Sequence, residues 1–307
     1  MFPVEDFVCE PGTLELVRSP YVRSIMVIGG VDTGKTTLVY SMARYLSESA
    51  KTSIVDLDVG QSHVGPPSTV GWGIFDPEAG CVPMPNFVFT GTFTPRGNLL
   101  PVLTGSMLVV SKARRNSDKV IIDTTGYIAD TSARILKQQK IDALNPDLIL
   151  GLQREKELFH ILAPYLGCKR PKVVLVPVTW NVSEKPLEGR FSYRIEKLRE
   201  YFGGGEIREL VLRESRIRFT RYPPGAFAGF LAGRLASLRS VNNRDMALGL
   251  VLDFARCGGV IKLKLLLPPR ETGRFSHVLI GEARVPLSSF MSSCGGRFSS
   301  PSPVESD

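Results

Sequence analysis

Residues 29 to 36 read Gly29-Gly30-Val31-Asp32-Thr33-Gly34-Lys35-Thr36, set directly behind the apolar run Ile25-Met26-Val27-Ile28. No other stretch limits the fold so strongly. A buried strand that breaks into a glycine-rich turn and re-forms as a helix turns its backbone N–H groups inward, and the helix adds the positive end of its dipole. Such a loop cradles a polyphosphate. On this reading Gly29, Gly30, Val31, Asp32, Thr33, Gly34, Lys35, Thr36 and Thr37 hold a nucleoside triphosphate. Lys35 reaches its β- and γ-phosphates, and Thr36 places a hydroxyl on Mg²⁺.

Around that loop, 24–28, 52–57, 86–89, 119–122, 148–152 and 172–178 read as short apolar strands. They alternate with helical patterns at 35–49, 99–115, 133–139 and 156–166. This alternation predicts an α/β fold, a P-loop NTPase with a doubly wound parallel sheet. One more helix, 190–202, stops at Gly203-Gly204-Gly205. Beyond it, 207–219, 247–254, 260–267 and 277–285 read as strands, and Pro223-Pro224-Gly225 opens a helical turn running to 238. The expected organisation is a short N-terminal segment (1–20), a kinase-like domain (21–205) with a lid helix near 185–202, a β-rich C-terminal module (206–287), and a disordered Ser/Gly/Pro-rich tail (288–307).

The bulk of the 307-residue chain, 43% hydrophobic and 22% charged, is that of a globular protein. No apolar run approaches the roughly 20 residues that span a bilayer, so no membrane association is expected. No signal peptide is read at Met1-Phe2-Pro3. The five scattered cysteines lack C-x-x-C pairing and point to reduced thiols in the cytoplasm. A net charge of +8 favours polyanionic partners, nucleic acid first.

Two acidic motifs end strands. Asp56-Leu57-Asp58-Val59-Gly60-Gln61 follows the second strand, at the edge where open parallel sheets bind ligands. Strand alternation puts Asp56 and Asp58 on one face; one holds a Mg²⁺-bound water and the other accepts a proton from an attacking hydroxyl. Asp123-Thr124-Thr125-Gly126-Tyr127 fits D-x-x-G, its carboxylate facing the metal and its glycine letting backbone approach phosphate. The residues expected at the metal are Thr36, Asp56, Asp58 and Asp123.

These motifs, with Gly91-Thr92-Phe93-Thr94-Pro95, resemble the polynucleotide 5′-hydroxyl kinase family. It includes the kinase subunit of the pre-mRNA cleavage factor, ribosomal-RNA-processing kinases and shorter archaeal members, the type expected here. A weaker likeness runs through Leu152-Gln153-Arg154-Glu155 and Gly281-Glu282-Ala283-Arg284-Val285, so it covers about residues 21 to 287. The resemblance implies transfer of the γ-phosphate of ATP, with Mg²⁺, to the 5′-hydroxyl end of RNA or DNA, and RNA-processing protein partners. It makes Asp58 the base or the orienter for the 5′-hydroxyl, with Gln61 beside it, and lines the substrate groove with Thr125 and Tyr127, Tyr127 stacking on a terminal base. Many relatives carry Asn and Trp where this chain has Asp123 and Tyr127.

Phosphoryl transfer gains most from cations on the moving group. Arg190 and Arg194 are four apart on one helix and share a face. With Lys185 just upstream they are the candidate lid cations, against the plainer reading of a solvated basic face. The resemblance sets Lys185 and Arg190 at the family's lid positions. Catalytic candidates are therefore Lys35, Asp58, Gln61, Lys185, Arg190 and Arg194. Two further readings remain: a GTPase-type switch, which D-x-x-G allows although no N-K-x-D occurs, and a catalytically silent nucleotide-binding scaffold.

Overall fold

The computed structural model describes residues 11–178, 187–221, 231–269 and 274–291. Helix α1 (Pro11–Arg18) precedes β1 (Ser24–Gly29), whose six residues are all buried. There follow α2 (Lys35–Ser47), β2 (Thr52–Asp56), β3 (Thr69–Ile74), β4 (Asn86–Phe89), α3 (Leu99–Asn116) and β5 (Lys119–Asp123). Next come α4 (Thr131–Leu144), β6 (Leu148–Gln153), α5 (Phe159–Leu162), β7 (Lys172–Pro177) and α6 (Leu187–Phe202).

These strands form one sheet ordered β4-β3-β2-β5-β1-β6-β7. From β2 to β7 every pairing is parallel, because crossover helices return the chain to the same end each time. On one face Leu38, Val39 and Met42 of α2 and Val17 of α1 pack on Ile25, Val27, Ile54 and Ile121. On the other, Val102 and Val109 of α3, Leu136 and Ile141 of α4 and Ile161 of α5 pack on Met26, Ile28, Val55 and Ile122. Burial on both faces is why the central strands are continuous apolar runs rather than alternating ones. The strand expected at 86–89 is present but runs antiparallel, paired with an unforeseen β3 that is itself antiparallel to β2.

Helix α4 is longer than the predicted 133–139. Asp130 caps its start by accepting the Ala133 N–H at 2.8 Å, and Asn145 ends it in the left-handed region at φ 42°. The stretch expected to be helical at 156–166 reduces to α5 and a 3₁₀ turn, Ala163–Tyr165.

The C-terminal half forms a second sheet from β8 (Glu206–Arg213), β9 (Ile217–Phe219), β10 (Arg234–Arg239), β11 (Asp245–Cys257), β12 (Val260–Leu267) and β13 (His277–Arg284), ordered β8-β12-β11-β10-β13-β9. The run 207–219 splits at a 3₁₀ turn, Glu214–Arg216. The helical turn expected from 223 to 238 is corrected where it is described: Arg234–Arg239 is a strand, and 222–230 lie outside the described residues. The tail also departs from expectation, since α7 (Ser288–Met291) is helical and Phe290 is buried against Phe202. Residues 292–307 lie outside the described residues.

The two sheets meet where Gly91 and Gly281 press together. A Cβ on Gly281 would lie 2.6 Å from the Gly91 Cα, so no side chain fits. Ala283 N–H donates to the Gly91 carbonyl at 2.8 Å, and Phe89 N–H donates to Asp245 at 3.1 Å. Among the described residues no helix is long and apolar enough to cross a membrane.

Candidate active site

Parallel register sets the site. Asp56 pairs with Asp123 at the carboxyl ends of β2 and β5, while β1 beside them runs into the glycine-rich loop. All three motifs therefore emerge on one edge, around a cavity of about 1000 Å³. That volume is at the upper end for small-molecule sites, about 300–1,000 Å³.

Within the loop Asp32 (φ 50°) and Gly34 (φ 81°) turn the chain into α2. Val31 through Thr37 line the cavity. Gly29 and Gly30 do not: Gly29 ends β1, and the Gly30 carbonyl accepts from Lys35 Nζ and, at 3.1 Å, from Thr33 Oγ1. Lys35 is buried, which lowers its pKa against the raising pull of Asp123, Asp58 and Asp32.

Thr36 Oγ1 donates to Asp123 Oδ2 at 2.7 Å. The other oxygen, Asp123 Oδ1, is buried without a hydrogen-bond partner. Burial raises the Asp123 pKa, opposed by Lys35 and the Thr36 hydrogen bond. A hydroxyl, a carboxylate with a spare oxygen and a cradle of loop amides suit Mg²⁺ bound together with a triphosphate. Among the described residues no three His, Cys, Asp or Glu side chains cluster as a metal cage, and a phosphate-bound Mg²⁺ requires none.

Asp56 and Asp58 do not share a strand face. Strand β2 ends at Asp56, and Asp58 sits in the loop beyond it. Neither Asp56 nor Asp123 lines the cavity, but Asp56, unlike Asp123 with its spare oxygen, turns both oxygens onto donors. Oδ1 accepts the Asp58 N–H at 2.8 Å; Oδ2 accepts the His63 N–H at 2.6 Å, the Val64 N–H at 3.2 Å and the Ser62 hydroxyl at 3.4 Å. The structure thus removes Asp56 from the expected metal set; its carboxylate organises the 57–64 loop. Burial, then the neighbouring Asp123 and Asp58, raise its pKa well above the carboxylate range.

Asp58 does line the cavity, its Oδ1 accepting the N–H groups of Gly60 (2.9 Å) and Gln61 (3.0 Å). Gln61, Thr125 and Tyr127 line it as well, and the Tyr127 hydroxyl donates to Asp130 at 2.7 Å. Gly126 lines the cavity too, and a Cβ there would lie 2.7 Å from the Val31 Cα, so its bareness lets the segment 124–129 pack on the glycine-rich loop.

Helix α6 roofs the cavity with Arg190, Tyr193, Arg194 and Lys197. Arg190 pairs with Asp32 at 3.3 Å, and the Arg194 guanidinium lies 5.4 Å from the Phe93 ring centroid. Both arginines keep a buried Nε without a hydrogen-bond partner. Tyr193 donates to the Ser62 carbonyl at 3.0 Å and stacks, tilted, on His63. Lys185 and Trp180, a residue that could contact adenine, lie outside the described residues. Tyr193, Lys197 and the Phe93 and Pro95 side chains went unforeseen as lining residues. The i, i+3, i+7 spacing from Arg190 carried a signal for the first two.

Residues 29–204 match the family model of the mRNA cleavage and polyadenylation factor CLP1 P-loop. A polyribonucleotide 5′-hydroxyl-kinase of Pyrococcus furiosus is 36% identical over 203 residues, 64% of this chain and 56% of that protein. The match therefore spans little more than half of that relative. A polyribonucleotide 5′-hydroxyl-kinase of Methanocaldococcus jannaschii is 35% identical over 275 residues, 84% of this chain and 73% of the relative. Among solved structures, Clp1p from a wild-type Clp1p–Pcf11p complex superposes with a TM-score of 0.65 at 15% identity, covering 89% of this chain and 77% of that one. The last likeness speaks to fold alone.

Proposed function

The chain belongs to the CLP1 P-loop family, and from that premise we infer that it is an ATP-dependent polynucleotide 5′-hydroxyl kinase acting on RNA ends. The observation that carries this is the placement of Asp58 in the same cavity as Lys35 and Thr36, beneath Arg190 and Arg194. A base, a phosphate cradle and a cationic roof meet in one space. RNA is preferred over DNA because both archaeal relatives are named for polyribonucleotides.

The amides of residues 31–37 and Lys35 hold the triphosphate. Thr36 and Asp123 are the residues that would hold Mg²⁺, whose bound charge offsets that developing on the phosphate oxygens. Asp58 accepts the proton of the 5′-hydroxyl as that oxygen bonds to the γ-phosphorus. The bond from the γ-phosphorus to the β–γ bridging oxygen breaks, and ADP leaves. Gln61 orients the incoming hydroxyl, Thr125 and Tyr127 line the acceptor's path, and Arg190 and Arg194 neutralise charge on the group in flight. Lys185, close before α6 in sequence, is proposed as a further lid cation. An RNA-processing protein is the proposed partner class, since the matching family is named for an mRNA cleavage and polyadenylation factor.

Incubation with a 5′-hydroxyl oligoribonucleotide and γ-labelled ATP tests the reading, with Lys35→Ala as control. Label should move to the oligonucleotide with the parent protein alone. Release of free phosphate without labelled oligonucleotide, or selectivity for GTP, would contradict it.

A further inference from the structure

Helix α4 carries two lysines on its inner face, Lys137 and Lys140, each 1% exposed. Sinking an ammonium group into a protein interior is costly unless it is used, and a methionine would fill the same volume without that cost. Lys140 Nζ has no hydrogen-bond partner. Lys137 is different: its Nζ donates to the Thr125 carbonyl at 2.6 Å and to Thr124 Oγ1 at 2.8 Å. Thr124 Oγ1 in turn donates to the Val27 carbonyl at 2.7 Å, in the strand that feeds the phosphate loop. Two residues on, Gly126 lies flat against Val31 of that loop.

We propose that Lys137 is a positioning residue that fixes the acceptor-side strap, residues 124–129, in register with the phosphate loop. The strap faces the cavity along its whole length, from Thr124 to Ala129. The glycine contact sets its distance from Val31, while the lysine sets its height and direction, since one Nζ holds a side chain and the next carbonyl together. Without that donor, the Thr125 carbonyl loses its buried partner and the strap is free to rotate about the Gly126 contact. Phosphoryl transfer is sensitive to such displacement, because a shift of about 1 Å in a positioned reactant costs on the order of a hundredfold in rate. Lys137 does this from behind the strap and touches no reactant.

The inference rests on the kinase reading, so its test has an arm independent of activity. Lys137→Met keeps the apolar stem and removes the donor; Thr124→Val removes the hydroxyl from the same tie and leaves the lysine intact. Amide hydrogen exchange at 124–130 should accelerate at least tenfold in both variants while exchange in β1 and β5 holds. In the kinase assay, Lys137→Met should lower kcat ten- to a hundredfold with the KM for ATP within twofold of the parent. Unchanged exchange at 124–130 in both variants would overturn the proposal, as would a kcat within twofold or an equal loss of ATP affinity. A parent protein that transfers no phosphate defeats the functional reading instead, and the exchange arm still decides the role of Lys137.

Discussion

On the proposed reading Asp56 and Asp58, two residues apart, separate structure from chemistry. Asp58→Asn should lower kcat by about 10²–10⁴, the usual contribution of a general base, with ATP affinity and melting temperature little changed. Asp56→Ala should act the other way, since four donors converge on its carboxylate and each buried group left unpaired costs about 1–3 kcal/mol. Its melting temperature should fall by many degrees. Calorimetry beside steady-state kinetics checks both, and an exchange of phenotypes would reverse the assignment. Arg190 gives a third contrast: Arg190→Ala should reduce turnover far more than ATP affinity, and equal effects on both would remove it from the transition state. At this scale the sequence is readable where backbone geometry demands a residue type, as at Gly34, whose φ of 81° leads the loop into α2. It is silent on direction. Nothing in Asp-Leu-Asp says that the first carboxylate turns onto backbone N–H groups, because loop curvature decides that and the loop closes through contacts made 131 residues later, by Tyr193 on Ser62.

Elements are legible where burial leaves a continuous apolar run or a clear period, and are lost where it leaves neither. Strand β10 reads as helix from sequence because Leu231, Leu235 and Leu238 are spaced at i, i+4, i+7. In fact Leu235 packs in one core while Ala236 and Leu238 pack in the other, so a strand buried on both faces shows no period of two. Strand β3 is hidden by its alternate glycines, Gly71 and Gly73, which leave Thr69 as the single side chain on one face. The sequence pattern of α4 stops short of the helix's end because Lys137-Gln138-Gln139-Lys140 looks like a solvated terminus. Burial of those two lysines follows from tertiary packing and has no local signature. It has a measurable consequence, however. Burial lowers the pKa of Lys140 to about 8 from 10.5, with Asp58 and Asp56 pulling the other way. Between those values the unfolded chain binds the extra proton, so stability from this group rises with pH and is lowest below about 8. Lys140→Met should therefore stabilise the protein at pH 7, by at most about 3 kcal/mol, and the gain should shrink toward pH 10. Melting curves of both proteins at the two pH values provide the check; a gain that ignores pH would contradict the burial of a charged group there.

At the scale of the whole molecule, helix α6 joins the two sheets. Arg190, Tyr193, Arg194 and Lys197 face the cavity, whereas Ile195, Leu198 and Phe202 pack with Leu235, Leu248, Leu250 and Leu279 of the second sheet. Polar ties fasten the same end: Leu248 N–H donates to the Tyr201 hydroxyl at 2.9 Å, and Arg199 Nε to the Ser289 carbonyl at 2.7 Å. The C-terminal sheet thus sets where the arginines of the roof stand, though none of its residues lines the cavity. Gly281→Val tests this coupling. A Cβ there meets the Gly91 Cα at 2.6 Å and the Gly91 carbonyl oxygen at 2.7 Å, backbone atoms that cannot swing aside. The sheets must part locally, and α6 must follow the second sheet or lose its apolar seat. The phosphate loop, built wholly from β1 and α2, keeps its shape either way. ATP binding by Gly281→Val should therefore stay near the parent value while kcat falls at least tenfold. Thermal unfolding should lose cooperativity, because the contact that lets the sheets unfold together is weakened. Were kcat to remain within twofold as the unfolding transition splits, the roof would be held by the first sheet alone, and the C-terminal sheet would have no part in setting the active geometry.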